Sequence, residues 1–308
     1  MASPAEYRRV LPPGFAQSRW IAPDGWGVRR FEWLGGTRGG LFWQGGRGDI
    51  VEKYLETLGH WHARGWHLAG FDWRGHGGSG RFDHDAGWTS EFAPAVDDLA
   101  ALWADWAART PRPHVLAAHS LGGYLSLRAV LDGRVTPDAL VLTAPMLGVR
   151  SPLGPALSER IARWQSGRGL AGQGAWADDR QGRGRIDRMA LLTHDRDRYA
   201  DEQWWHERLP DHRGRAPSWG WLHEAFAATR ALRADPRLDA LTTPTLVLVA
   251  ERDRLVDATA AIAVAERLPA GELLRFGPES AHEILREVDA VRDRALATID
   301  AFLDRVAP

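Results

Sequence analysis

Val115-Leu116-Ala117-Ala118-His119-Ser120-Leu121-Gly122-Gly123 passes from an apolar run of strand length, through a serine set among small residues, into the apolar run Leu121 to Leu131. A strand, a sharp turn and a helix in that order lift a serine side chain above the C-terminal end of the strand. Small residues two before and two after it keep strand and helix from colliding. Ala118 stands where glycine is usual in the G-x-S-x-G pattern, a difference of one methyl group. A serine ahead of a helix is also an ordinary N-cap, and the pentapeptide alone leaves both readings open.

Outward from this turn the chain alternates. Val96, Leu99, Trp103 and Trp106 fall on one helix face before it, and Ala139 to Leu142 reads as a strand after it. Upstream, Val51, Leu55 and Leu58 recur at helical spacing as far as Arg64-Gly65, and His67 to Phe71 is a short strand. Downstream, Leu246 to Ala250, Ala258 to Leu268 and Leu273 to Phe276 read as strand, helix and strand. Val288, Val291, Ala295, Ile299, Phe302 and Val306 then stripe a last amphipathic helix. Such alternation specifies a parallel sheet with helices on both faces.

Two regions depart from it. From Gln17 to Trp43, short apolar runs (Trp20-Ile21, Val28 to Trp33, Leu41 to Trp43) are separated by glycine-rich breaks, which predicts antiparallel strands joined by tight turns. Between about Gly148 and Leu238 the pattern gives way to Arg, Gly and Trp, with Ser166 to Arg185 least suggestive of order. The expected organisation is an α/β core formed by residues 1–147 and 239–308, interrupted by a cap or lid at 148–238.

Composition closes several branches of chemistry. The 308 residues contain no Cys, so there is no disulfide framework, thiolate nucleophile or Cys-ligated metal. Asn is absent and Lys53 is the single lysine, so a lysine-based nucleophile hangs on one residue. With 39 Lys+Arg against 40 Asp+Glu and no basic block, nucleic acid is an improbable partner. The Arg, Ala, Gly and Trp bias resembles the codon usage of a GC-rich bacterial genome. No run reaches the length of a membrane span and the start lacks the apolar core of a signal peptide. A soluble, cytoplasmic protein able to touch a membrane surface is expected.

Serine is a poor nucleophile until an imidazole takes its proton and a carboxylate orients that imidazole. Asp253 follows the strand Leu246 to Ala250 and His282 follows the strand Leu273 to Phe276, so both occupy loops at the same sheet edge as Ser120. Their chain order, Ser then Asp then His, is the one required by an elbow on a parallel sheet. Among nearby acids, Asp257 reads as a helix cap, Glu251 abuts the strand end, and Glu279 is the alternative partner for His282. The remaining histidines read as structural, and no H-E-x-x-H pair suggests a metal. Donors for a tetrahedral oxyanion are expected from the backbone N–H of Leu121 and, in the loop Gln44-Gly45-Gly46-Arg47-Gly48-Asp49, of Arg47. That loop also reads simply as a turn before a helix.

The ordered set Gly45 to Asp49 with Glu52-Lys53-Tyr54, Phe71-Asp72-Trp73-Arg74-Gly75-His76-Gly77-Gly78-Ser79-Gly80, the elbow, Thr143-Ala144-Pro145-Met146-Leu147, Asp253 and Glu279 to Leu285 resembles the α/β-hydrolase fold. Within it, the match is to the bacterial lysophospholipase and monoacylglycerol lipase-like group. The resemblance implies a Ser120–His282–Asp253 triad, an oxyanion hole at Arg47 and Leu121, and ester hydrolysis with no cofactor or metal. Gly45 stands where lipase-type relatives often carry His. Asp72, Arg74 and His76 read as loop-fixing residues.

Substrate choice is expected to lie in the insertion. Trp164, Trp176, Trp204, Trp205, Trp219, Trp221 and Phe226 either line an acyl-chain pocket or form the cap's own small core. Arg180 to Arg188 reads as a contact for a phosphate headgroup or anionic membrane, or as a solvated face. Hydrolysis of a lysophospholipid is the leading expectation, with a monoacylglycerol or small carboxylic ester next. A proline iminopeptidase-type peptidase, its substrate amino group held by Glu202 or Glu207, and a non-catalytic ligand-binding protein are the remaining alternatives.

Overall fold

The computed structural model describes residues 4–82, 91–176 and 188–308. Among them, eight strands build one sheet: β1 (Phe15–Ile21), β2 (Gly27–Trp33), β3 (Gly39–Gln44), β4 (Trp66–Phe71), β5 (His114–His119), β6 (Ala139–Thr143), β7 (Thr245–Ala250) and β8 (Gly271–Phe276). Their spatial order is β1-β2-β4-β3-β5-β6-β7-β8. β1, β2 and β4 pair antiparallel, and every pairing from β4 through β3 to β8 is parallel.

The central strands are apolar at nearly every position because each serves two cores, with period-two alternation deciding which side chain enters which. Phe42, Leu116, Leu140, Leu142, Val247 and Val249 face one layer with α2 (Ala93–Ala107), α3 (Leu121–Leu131) and α8 (Ala258–Arg267). Leu41, Trp43, Val115, Val141, Leu246 and Leu248 face the other with α1 (Leu55–Ala63) and α9 (Asp289–Val306). Val96, Leu99, Trp103 and Trp106 are all buried on α2, as their spacing requires. Asp257 caps α8 by accepting the N–H groups of Thr259 and Ala260.

One expectation is corrected. Leu41 to Trp43 is not part of an antiparallel meander. β3 lies between β4 and β5 and runs parallel to both. All six of its residues are buried, and Gly39 and Gly40 lie so close to Pro113, Trp106 and Thr110 that no side chain fits there. Only β1 and β2 form the hairpin. Smaller differences concern element ends: residues 51–54 form a 3₁₀ turn ahead of α1, and Val288 precedes α9 at its N-cap.

Between β6 and β7 the chain forms α4 (Pro155–Gln165), α5 (Arg188–Leu192), α6 (Arg196–Arg208) and α7 (Trp219–Arg233). α4 packs on α7, and α6 packs on the 3₁₀ turns at residues 4–9 and 51–54. Side-chain caps start α6 at Asp195 and α7 at Ser218. Of the arginine-rich stretch Arg180 to Arg188, only Arg188 lies within the described residues. No described helix is long and apolar enough to cross a membrane.

Candidate active site

β5 ends at His119 and α3 begins at Leu121, so Ser120 alone makes the turn, at φ 52° and ψ −119°. That conformation is costly for a residue with a Cβ and persists only where the surroundings impose it. Here Ser120 donates its N–H to the Thr143 carbonyl at 3.1 Å, while its own carbonyl accepts from Tyr124 and Met146. Its hydroxyl makes no capping bond to α3. Gly122 and Gly123 have no room for a Cβ, being packed on Gly45 and Pro145 respectively.

The Ser120 hydroxyl instead lies 2.9 Å from His282 Nε2, and His282 Nδ1 lies 2.5 Å from Asp253 Oδ2. All three side chains are buried. Asp253 Oδ1 accepts the N–H groups of Leu255 and Val256 at 2.7 and 3.1 Å, which fixes the carboxylate. Burial acts to push the His282 imidazole down, but the charge of Asp253 and the hydrogen bond to it prevail, and its pKa lies above the ordinary 6.5. Burial likewise opposes ionisation of Asp253, yet His282 and the two backbone donors hold it below the usual carboxylate range. With an ionised carboxylate on one side, Nδ1 carries the proton and Nε2 accepts from serine. His119, whose ring centre is 4.7 Å from that of His282, is held by burial and by His282 at about 4 and stays neutral.

The loop after β3 lies directly over the serine: a Cβ on Gly46 would come within 2.9 Å of Ser120 Cβ. Asp49 shapes this loop by accepting the Gly46 N–H at 2.7 Å and the Tyr54 hydroxyl at 2.8 Å. Arg47 follows, its guanidinium donating to the Arg215 carbonyl and lying 5.1 Å from the Trp221 ring centre. Leu121, at the first turn of α3, is fully buried beside the serine.

A group of charged side chains that sequence reasoning did not assemble braces this site. Lys53 Nζ meets Asp49 at 2.7 Å, Glu202 at 3.3 Å and Glu283. Arg286 pairs with Glu283 and, at 3.2 Å, with Glu202, which Arg188 also meets at 2.7 Å. Three cations thus match three carboxylates, and they tie the glycine loop, the His282 loop and α6 together. Burial opposes every one of these charges, but Lys53 pulls Asp49 well below its ordinary value and the carboxylates raise Lys53. The solitary lysine was the available signal. Glu202, an alternative anchor for a substrate amino group, has its carboxylate engaged by these cations, while Glu207 is exposed.

Asp72 accepts from the backbone of Val51 and Gly78 and from Arg29, Arg74 pairs with Asp98 and Asp24, and His76 bonds the Arg74 carbonyl. All three hold loops. The aromatic residues divide. Trp221 is buried between Arg47 and Phe92, next to the glycine loop. Trp205 packs on Ile50 and Leu55, Trp204 stacks with Arg208, Trp219 is half-buried at the start of α7, and Trp164 and Trp176 are exposed. Among the described residues no group of His, Asp and Glu is arranged to hold a metal ion.

Residues 37–289 match the protein family described as serine aminopeptidase, S33. Lysophospholipase L2 of Escherichia coli strain K12 is 33% identical over 275 residues, covering 84% of this chain and 78% of that protein. A soluble variant of monoglyceride lipase from Saccharomyces cerevisiae superimposes with a TM-score of 0.73 at 16% identity, over 97% of this chain and 98% of that one. A carboxyl esterase from Bacillus coagulans also gives 0.73, at 15% identity and over 96% and 99% of the two chains.

Proposed function

The chain belongs to the serine aminopeptidase, S33, family within the α/β-hydrolase fold, and from that premise we propose that it is a serine hydrolase of carboxylic esters acting on lysophospholipids. The observation that carries this reading is the unbroken line of hydrogen bonds from Ser120 through His282 to Asp253. The identity to a lysophospholipase gives the substrate class.

In this reading His282 Nε2 takes the Ser120 proton as Oγ attacks the ester carbonyl. The backbone N–H groups of Leu121 and Arg47 receive the oxyanion, and Gly46 lets the loop approach the serine closely enough for that. The imidazolium is stabilised by ionised Asp253 and returns the proton to the leaving alcohol. Water, activated by the same imidazole, then releases the fatty acid from the acyl-enzyme.

Residues 148–238 act as a cap. Support comes from their contacts: Glu283 N–H bonds the Leu192 carbonyl at 2.7 Å, and Arg47 bonds the Arg215 carbonyl, so the insertion touches both the His282 loop and the glycine loop. α4 supplies a surface for lipid. Leu153, Leu157 and Trp164 are 60%, 48% and 58% exposed on one side, with Arg160, Arg163 and Arg168 exposed nearby. Apolar residues flanked by cations suit an anionic membrane interface. A monoacylglycerol or small ester enters by the same chemistry, whereas the engagement of Glu202 by Lys53, Arg188 and Arg286 disfavours its use in an aminopeptidase.

The test is fluorophosphonate labelling with fatty-acid release from lysophosphatidylcholine, comparing the wild type with Ser120→Ala. Labelling and release confined to the wild type are expected. Equal release by both proteins would overturn the proposal.

A further inference from the structure

On the α6–α7 side of the glycine loop lies a cavity of about 390 Å³, lined by Arg81, His206, Asp211, Arg213, Gly214 and Arg215 among others. It adjoins the glycine loop. A Cβ on Gly214 would come within 2.9 Å of Gly48 Cα, and the carbonyl of Arg215 accepts from Arg47. Residues 213–215 therefore lie against the loop that carries the proposed oxyanion donor.

The lining holds three guanidinium groups and one carboxylate, that of Asp211. Arg81 is half-buried and donates to the carbonyls of Gly77, Gly80 and Asp211, which aim its guanidinium without neutralising it. Burial and the proximity of Arg215 pull its pKa below the ordinary arginine value, the mark of a cation held near another cation. Arg213, which also lines the cavity, enters no ion pair among the described residues. His206 is more than nine-tenths buried, with Nδ1 4.0 Å from the Glu202 carboxylate and neither ring nitrogen in a hydrogen bond. Burial holds it at about 4, so it is a neutral imidazole with one unspent N–H. Guanidinium groups gathered on one concave wall repel each other, as Arg215 does Arg81, and an anionic ligand relieves that repulsion.

We infer that this cavity holds the phosphodiester of the substrate, with Arg81 and Arg213 supplying charge, while the ester carbonyl lies at the glycine loop. The inference builds on the hydrolase reading above and specifies which esters the site prefers. A cavity of this volume accommodates a glycerophospho headgroup, and guanidinium groups suit phosphate oxygens in charge and geometry.

The experiment measures kcat/KM for lysophosphatidylcholine and for a 1-monoacylglycerol of the same acyl length, in the wild type, Arg213→Ala and Arg213→Lys. The ratio of the two values should fall about tenfold in Arg213→Ala, the size expected for one lost charge-assisted hydrogen bond. The fall should come mainly through KM for the phospholipid and be largely restored in Arg213→Lys. Equal losses on both substrates, or an unchanged ratio in an enzyme that still labels with fluorophosphonate, would overturn the subsite and leave the hydrolase reading standing.

A binding arm needs no turnover. Ser120→Ala protein is titrated with an ether-linked lysophosphatidylcholine, the matching alkylglycerol and glycerol 3-phosphate. Tighter binding of the ether phospholipid than of the alkylglycerol, weakened by Arg213→Ala, supports the subsite even if the wild type fails to label. Equal binding of the two lipids overturns it. Glycerol 3-phosphate binding as tightly as the ether phospholipid assigns the cavity to a soluble phosphate ester and overturns the headgroup assignment.

Discussion

The Lys53 ammonium pairs with the Glu283 carboxylate across 230 positions of sequence, one residue beyond His282. The same ammonium holds Asp49, which in turn accepts the Gly46 N–H in the loop over the serine. One buried cation thus joins the two loops that the proposed chemistry needs.

Replacing Lys53 with Met should therefore destabilise the fold by about 3–5 kcal/mol, because it leaves Asp49, Glu202 and Glu283 with fewer cations than carboxylates in a buried setting. Denaturant unfolding of Lys53→Met and of the double variant Lys53→Met/Glu283→Gln gives the answer. Removing both charges should recover part of the loss. A single variant within about 0.5 kcal/mol of the wild type would mean that water already screens the cluster.

The raised pKa of His282 fixes the sign of the pH dependence. The imidazole acts as a base only when unprotonated, so kcat/KM should fall as pH drops through a midpoint above 6.5. In Asp253→Asn, burial remains while the carboxylate charge and the hydrogen bond to it are gone, leaving Glu283 and Asp49 as the groups that still raise the imidazole. The midpoint should move to lower pH and the maximum rate should fall by about 10⁴. A pH–rate profile of the two proteins checks both. An acid limb unmoved by Asp253→Asn would remove His282 from the role of base.

Ser120 is held at φ 52° and ψ −119°, where glycine sits without strain. Relief of about 1–3 kcal/mol of strain set against about 1 kcal/mol of added chain entropy should leave Ser120→Gly about 1 kcal/mol more stable than Ser120→Ala. Both variants lack the nucleophile and should be inactive. Thermal unfolding of the pair measures the difference, and the opposite order would place the strain elsewhere.

The elbow was legible because a strand, a turn and a helix each leave a local pattern, and loops after parallel strands must share one edge of the sheet. The direction of β3 was not, because Gly39 to Gln44 is apolar in either orientation and its neighbours β4 and β5 lie elsewhere in sequence. Charged clusters are hidden for a similar reason. Glu202, read as a possible anchor for a substrate amino group, and Glu283, read with the His282 segment, become partners only when α6 and the His282 loop meet over Lys53. The tryptophans of the insertion, alike in sequence, part company only when α4 turns Trp164 outward and α7 turns Trp221 toward Arg47.

That outward turn gives a prediction of its own. Leu157 and Trp164 are seven residues apart on α4, two helical turns, and so share a face; Leu153 extends it beyond the helix start. Arg168 lies 4.6 Å from the Trp164 ring centre and brings its cation to the same surface. If this face meets lipid, Leu157→Asp/Trp164→Asp should reduce co-flotation with vesicles of phosphatidylglycerol and phosphatidylethanolamine by about tenfold or more, since two exposed apolar side chains that would enter the lipid are replaced by charges. Hydrolysis of a water-soluble short-chain ester should stay within about twofold of the wild type, because neither residue packs on the core clusters around the site. A parallel loss of soluble-ester activity would assign these residues to the cap's own packing, and unchanged flotation would remove α4 from the membrane contact.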